Sequence, residues 1–273
     1  MNKKLKKFGE SKMNKHTFVI CAYKESPFLE ECIQSVLSQS LKSKVKIVTS
    51  TPCAYIFNMA KKYNIPLVVN KNDGGIVQDW NFAYAQADTP LVTITHQDDI
   101  YCEDYLKNIL WQFRKHKKPL IFFTDYGEIR GEEYVKTNKL LKVKRIMLKP
   151  LEISKFSGSI FLRRRILSLG SPICCPSVTY VKPNLPKQIF DVGFRSDEDW
   201  QAWEKLSKLK GEFVYSKKIL MYHRIHNGSE TTAIISDTGR AVEDYQMFCK
   251  FWPKWIAKLL VKFYSTSEES NNL

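Results

Sequence analysis

Between residues 17 and 124, short apolar runs rich in β-formers alternate with stretches of helical spacing, and the connections are brief. The runs are Thr17–Ala22, Val45–Thr49, Pro66–Val69, Leu91–Thr95 and Leu120–Thr124. Ser26-Pro27 offers a cap and a first-turn proline for a helix through Phe28, Leu29, Cys32, Ile33, Val36 and Leu37. Further helices are expected over Pro52–Tyr63 and Ile76–Ala87 and through Leu106, Ile109, Leu110 and Phe113. Strand–helix alternation of this kind predicts an α/β fold: a doubly wound, parallel or mixed sheet flanked by helices. The pattern loosens after Tyr126. Residues 127–150 read as a charged surface excursion, and the C-terminal half as irregular with a terminal helix. The expected divisions are a basic tail at 1–15, one α/β domain over 16–235 and a helical extension over 236–273.

A formal charge of +15 implies an acidic partner, and phosphorylated substrates, anionic lipid and nucleic acid all qualify. The lysines are scattered and the aromatics form no RNA-recognition signature, so nucleic acid is set aside. No apolar run reaches about 18 residues, so no transmembrane helix is expected. Lys24 and Glu25 cut short the apolar run after the basic start, which argues against a secretory signal, and Met13 is an alternative start. Seven cysteines with no Cys-x-x-Cys pair fit free thiols in a reducing cytoplasm.

The phosphate-binding Gly-x-Gly-x-x-Gly and Gly-Lys-Ser/Thr loops are absent, as is Gly-x-Ser-x-Gly. Four other segments stand out. Ala22-Tyr23-Lys24-Glu25 closes the first strand, and Asn72-Asp73-Gly74-Gly75 leads a helix through Trp80 and Asn81. His96-Gln97-Asp98-Asp99 follows the fourth strand, and adjacent carboxylates there sit where open α/β sheets bind ligands. Such oxygens hold a hard divalent cation, although an acidic helix start is the bland alternative. About 100 residues on come Ser196-Asp197-Glu198-Asp199-Trp200 and Tyr222-His223-Arg224-Ile225-His226, with Asn227 to Thr232 beyond.

In order and spacing these segments resemble the inverting family 2 glycosyltransferases of GT-A fold, of the bacterial cell-surface polysaccharide type, over roughly residues 16 to 235. The resemblance implies a nucleotide-sugar site at Ala22, Tyr23, Lys24, Ser50, Asn72, Gly75, Asn81, His96, Gln97 and Asp98, with Ser229 and Thr232 donating to phosphate. Where the family often carries a uracil-reading acid, Thr49-Ser50-Thr51 stands, so a UDP-sugar is favoured without being assured. Histidine replaces the first acid of the family's Asp-x-Asp element, and Trp80 a frequent arginine. The resemblance further implies a divalent metal, Mn2+ or Mg2+, at Asp98, with Asp99 and His226 in support. It makes Asp199 the general base and Arg224 a cation for the leaving diphosphate. The bland alternatives are a helix-start acid for Asp199, a surface ion pair for Arg224, a loop histidine for His226, and solvated positions for Asp197 and Glu198. Arg163 to Arg165 read either as a solvated face or as a basic strip suited to a lipid diphosphate.

Residues 250–264 form a further signal, with Lys250, Lys254, Lys258 and Lys262 four apart among Trp252, Trp255, Ile256, Leu259, Leu260 and Phe263. Two readings stand: an interfacial helix on an anionic membrane, or a terminal helix packed on the domain with snorkelling lysines. The expectation is a cytoplasmic enzyme, peripheral on the inner face of the cell membrane, that transfers sugar to a glycan or lipid-linked acceptor. Its rivals are a sugar nucleotidyltransferase and a non-catalytic binding protein that keeps the fold.

Overall fold

The computed structural model describes residues 16–72, 74–226 and 239–269. The 1–15 tail, Asp73 and the expected boundary near 235 lie outside these residues.

The alternating half folds as anticipated. Strands β1 (His16–Cys21), β2 (Lys44–Thr49), β3 (Leu67–Val69) and β4 (Leu91–His96) are joined through helices α1 (Leu29–Leu37), α2 (Ala54–Lys62) and α3 (Ile76–Gln86). β1 pairs in parallel with both β2 and β4, and β2 with β3. β1 shows why such a strand is a continuous apolar run. Phe18, Ile20 and the following Ala22 join one core with Leu29, Cys32 and Ile33 of α1, while Val19 faces the opposite core with Val77 and Tyr84 of α3. Both faces are buried, so both parities of the period-two strand are apolar.

The first helix begins later than Ser26-Pro27 suggests, at Leu29. Ser26 Oγ accepts from the Phe28 amide at 3.3 Å and makes a turn rather than a cap.

The second half departs further from expectation. After β5 (Ile100–Tyr101) and α4 (Tyr105–Phe113), strand β6 runs from Pro119 to Arg130, well past Thr124. Residues 127–129 are therefore buried sheet, and the supposed surface excursion continues into β7 (Glu133–Val135) and helix α5 (Lys139–Leu148). The cause is a partner far along the chain: β6 pairs in parallel with β9 (Glu212–Ile225), with register shifts on either side of Asp125. Between them come α6 (Ile160–Leu167), β8 (Val178–Val181) and α7 (Glu198–Ser207). β8 is antiparallel to both β4 and β6, so the sheet is mixed, in the order β3-β2-β1-β4-β8-β6-β9-β5 with β7 beside β6. Helices cover both faces of this sheet.

The C-terminal residues form α8 (Gly239–Cys249) and α9 (Lys254–Glu269). Pro253 separates them, so Lys250 lies on a turn and the four lysines do not share one helix. Met247, Phe248 and Ala257 are buried in the same core as Val19, and Trp252 Nε1 donates to Ser168 O at 2.7 Å.

Arg163 is no solvated face. It is buried on α6 and donates to the Ser207, Leu209 and Gly211 carbonyls, tying off the end of α7. Arg164 pairs with Glu204 at 2.7 Å. All seven cysteines are free thiols.

Candidate active site

β1 and β4 lie side by side, so their carboxyl ends open at one sheet edge. Gln97 bridges them: its Oε1 accepts from Tyr23 N at 2.9 Å and its Nε2 donates to Tyr23 O at 3.0 Å. Lys24, at a φ of 52°, turns away with its amide on Thr51 Oγ1 at 2.7 Å. The left-handed backbone at Lys24 stores a small strain that this hydrogen bond helps hold.

At the end of β2, where the sequence offers no acid, α3 brings one. Asp79 accepts from Ser50 Oγ at 2.6 Å and from Asn70 Nδ2 at 3.0 Å. Gly75 opens that helix at a φ of 140°, which a side chain would strain, and Asn72 is exposed beside it. Asn81 faces inward: its Oδ1 accepts from the Ile189 and Phe190 amides, and its Nδ2 donates to Phe190 O. Its amide thereby holds the 189–190 backbone in place.

The acidic segment after β4 forms the centre. His96, Asp98 and Asp99 bring one ligand atom each to within 4.8 Å of one another. His96 stacks on Trp80, with ring centroids 5.1 Å apart and an interplanar angle of 8°. Asp99 is fully buried and does not cap the following helix. Its Oδ1 accepts from His223 Nδ1 at 2.9 Å and from Arg224 N at 3.0 Å. The pairing of Ile100 with Tyr222 and of Tyr101 with Met221 dictates this, since the next position outward sets Asp99 against His223.

Arg224 is buried and braces the turn. Its Nε donates to Asp98 O at 3.0 Å, its Nη2 meets Glu31 at 2.5 Å, and its guanidinium lies 4.4 Å from the Phe28 ring centroid. His226 Nε2 lies 3.1 Å from Asp98 Oδ2. Ser229 and Thr232 fall outside the described residues.

Two atoms of the cluster, His96 Nε2 and Asp99 Oδ2, are buried without a hydrogen-bond partner among the described residues. Asp99 Oδ2 lies 3.8 Å from His96 Nδ1, and a divalent cation among that ring and the two carboxylates would satisfy the orphaned carboxylate oxygen, whose burial is otherwise costly. The charges are consistent with this. Burial works against ionising Asp98, yet the His226 hydrogen bond and the charges of His223 and His96 hold its carboxyl below the usual range. Burial also works against protonating His223, but the Asp99 carboxylate raises it to about 9.

Asp199 stands in the first turn of α7, partly buried. Burial pushes its carboxyl up to about 6, against the pull of the Lys144 ammonium and the Trp200 amide. The Cys174 thiol is raised chiefly by burial, and the charges of Asp99 and Asp199 add to the rise. Asp197 and Glu198 are buried rather than solvated. Burial, with the Asp244 and Asp199 carboxylates nearby, keeps Asp197 well above the ordinary carboxylate range.

The segment before Asp199 is gripped from α8. Glu243 accepts from the Arg195 amide at 2.9 Å, the Ser196 amide at 2.8 Å, Ser196 Oγ at 2.7 Å and the Asp197 amide at 3.3 Å. Trp200 then packs edge-on against Phe248, at 5.0 Å, and at a tilt of 36° against Tyr264, at 5.7 Å. Sequence reasoning passed over Glu243, Lys144 and Asp79. Glu243 and Lys144 come from helices remote in sequence from the residues they serve, with no local motif to mark them, whereas Asp79 sits within the 72–81 segment and is revealed only by its bonds to Ser50 and Asn70.

The sequence profile of Glycosyl transferase family 2 matches residues 17–170, more than half of the chain. The chain belongs to this family. Solved structures agree on a GT-A fold. TarS 1-349 of S. aureus, in complex with UDP-GlcNAc, superposes with a TM-score of 0.61 at 16% identity, over 94% of this chain and 73% of that one. The mannosyltransferase PcManGT of Pyrobaculum calidifontis, in complex with GDP-Man and Mn2+, gives 0.58 at 14% identity, over 92% and 69%. At these identities the likeness extends to the fold alone. No curated protein matches the chain. Within the family 2 fold, the cluster of His96, Asp98 and Asp99 is tied to β9 through His223 and Arg224, and Asp199 stands at the start of α7. No described helix is long and apolar enough to cross a membrane.

Proposed function

We propose that this family 2 glycosyltransferase moves a sugar from a nucleoside diphosphate to a hydroxyl of a glycan or lipid-linked acceptor, with inversion. The observation that carries the reading is the convergence of His96, Asp98 and Asp99 at the strand ends, with the buried Asp99 Oδ2 left to be satisfied. The nucleotide would lie along the carboxyl ends of β1 and β2, against Ala22, Tyr23, Lys24, Ser50, Asn72 and Gly75. Asp79 supplies that edge with the carboxylate that the 49–51 segment lacks, which supports a uracil base.

His96, Asp98 and Asp99 would hold the divalent metal, with His226 hydrogen-bonded to Asp98. A nitrogen beside two carboxylates suits Mn2+ better than Mg2+, which demands oxygens in near-ideal octahedral array. When bound, the ion neutralises charge on the diphosphate. Asp199 accepts the proton of the acceptor hydroxyl as that oxygen attacks the anomeric carbon, and the nucleoside diphosphate departs from the opposite face. A carboxyl raised to about 6 is well matched to this, because it is mostly ionised at neutral pH yet more basic than an exposed aspartate. Arg224 adds positive charge on the diphosphate side while holding the Asp98–Asp99 turn. The setting is the cytoplasm, with assembly of a cell-surface glycan as the context.

The decisive experiment is donor hydrolysis and transfer by purified protein against a panel of nucleotide sugars, with and without Mn2+. One UDP-sugar should be turned over, in a manner abolished by Asp98→Ala, and Mn2+ should raise the melting temperature of the parent but not of the variant. Full activity in excess chelator would defeat the metal assignment. Turnover of no sugar nucleotide, with retained binding of one, would favour a non-catalytic role.

A further inference from the structure

α9 is only half used by the fold. Ala257 is buried, and Ile256, Leu260, Val261 and Tyr264 are partly covered against the domain. On the outer side, Trp255 is 67% exposed, Leu259 50% and Phe263 76%. These three are four residues apart and form one stripe along the helix. Lys254, Lys258 and Lys262 form an exposed stripe alongside. At the amino-terminal end of α9, Arg165 of α6 stands 4.8 Å from the Trp252 ring centroid and 5.7 Å from that of Phe161, itself 74% exposed.

Scattered exposed apolar residues are ordinary on protein surfaces, but aligned large ones mark an interaction site. The charge identifies the partner. A face that interleaves tryptophan, leucine and phenylalanine with cations, on a chain of charge +15, is complementary to an anionic bilayer surface. A second copy of the chain would bring the same lysines into opposition.

We infer that the outer face of α9, extended by Phe161 and Arg165, is a docking surface for an anionic lipid bilayer. Trp255, Leu259 and Phe263 enter the headgroup boundary and the lysines lie among the lipid phosphates. The two readings of this helix that the sequence left open are then both partly true, since one side packs and the other binds. The functional consequence rests on the reading of Asp199 as base. Tyr264 packs on Trp200, the residue after Asp199, so docking would fix the base-bearing end of α7 relative to a membrane that carries lipid-linked acceptors.

The test uses full-length protein and vesicles of equal parts phosphatidylglycerol and phosphatidylcholine, with pure phosphatidylcholine as the reference. The parent should co-sediment with the anionic vesicles at low salt, and binding should weaken at high salt, as charge screening requires. Lys254→Glu with Lys258→Glu should weaken binding by about 25-fold or more, since each lysine near an anionic surface is worth about fivefold. Trp255→Ser, Leu259→Ser and Phe263→Ser together should abolish it. All of these residues are exposed, so circular dichroism and melting temperature should be unchanged, and donor hydrolysis in solution should persist. Equal binding by the serine variant, equal binding to neutral vesicles, or no vesicle binding with self-association through this face would overturn the proposal. Vesicle binding without any transferase activity would leave docking standing and remove the catalytic reading alone.

Discussion

Asp199→Asn separates what a catalytic base gives from what it costs. In the folded chain, burial raises the Asp199 carboxyl to about 6, whereas an unfolded aspartate titrates near about 3.9. A group whose folded pKa lies above its unfolded value favours folding only while protonated. That contribution is fully present below about pH 4 and is lost as pH rises through about 6. At pH 7 the ionised carboxylate therefore costs about 3 kcal/mol of stability. Asparagine keeps the shape and carries no charge. The variant should be more stable than the parent at pH 7 by that order, and the gain should shrink towards zero near pH 4. Turnover should fall by about 10² to 10⁴-fold, because the proton of the acceptor hydroxyl loses its acceptor. The parent should show an acid limb with its midpoint near pH 6. Denaturant unfolding across pH, with release of nucleoside diphosphate as the rate assay, reads both effects. A variant with near-normal turnover, an acid limb near pH 4, or a variant less stable than the parent at pH 7 would refute the reasoning.

Three further outcomes follow from the same geometry. Glu243→Ala frees three amides and a hydroxyl around residues 195–197, so turnover should fall about tenfold or more while donor affinity stays near that of the parent, with partial recovery in Glu243→Gln. Equal losses in turnover and donor binding would mean general unfolding instead. Arg163→Ala leaves three carbonyls at the end of α7 without their donor and should lower unfolding free energy by about 3–5 kcal/mol, measured by denaturant titration. Arg224→Ala should depress turnover more than acceptor affinity, and should also weaken Mn2+ binding measured by calorimetry, because the guanidinium holds the Asp98 carbonyl.

The parts of this molecule legible from sequence are those whose determinants are local. Strands β1 to β4 and their helices are marked by periodicity, because a strand buried on both faces must be apolar throughout and a covered helix must repeat its apolar residues about every 3.6. The motif at 96–99 is legible for a similar reason: a strand end followed by adjacent carboxylates is one short segment. Gly75 is visible because only glycine takes its φ of 140° without strain.

What tertiary structure decided depends on pairings across long separations. β6 outruns its apolar core because β9 pairs with it, so Gly127 to Ile129 are buried although their sequence reads as surface. The sheet acquires antiparallel members because β8 slots between β4 and β6, a placement no local pattern announces. Arg163 looked like part of a basic strip, but three carbonyls at the end of α7 give a buried guanidinium its hydrogen bonds. The β5–β9 register brings His223 and Arg224 to Asp99, more than 120 residues away in the chain. Glu243 reaches the segment before Asp199 only because α8 packs beside α7. Composition and spacing record which residues seek burial, charge or a turn. Which remote backbone satisfies each of them is decided only when the whole sheet closes, because a hydrogen bond or an ion pair depends on position in space and not on distance along the chain.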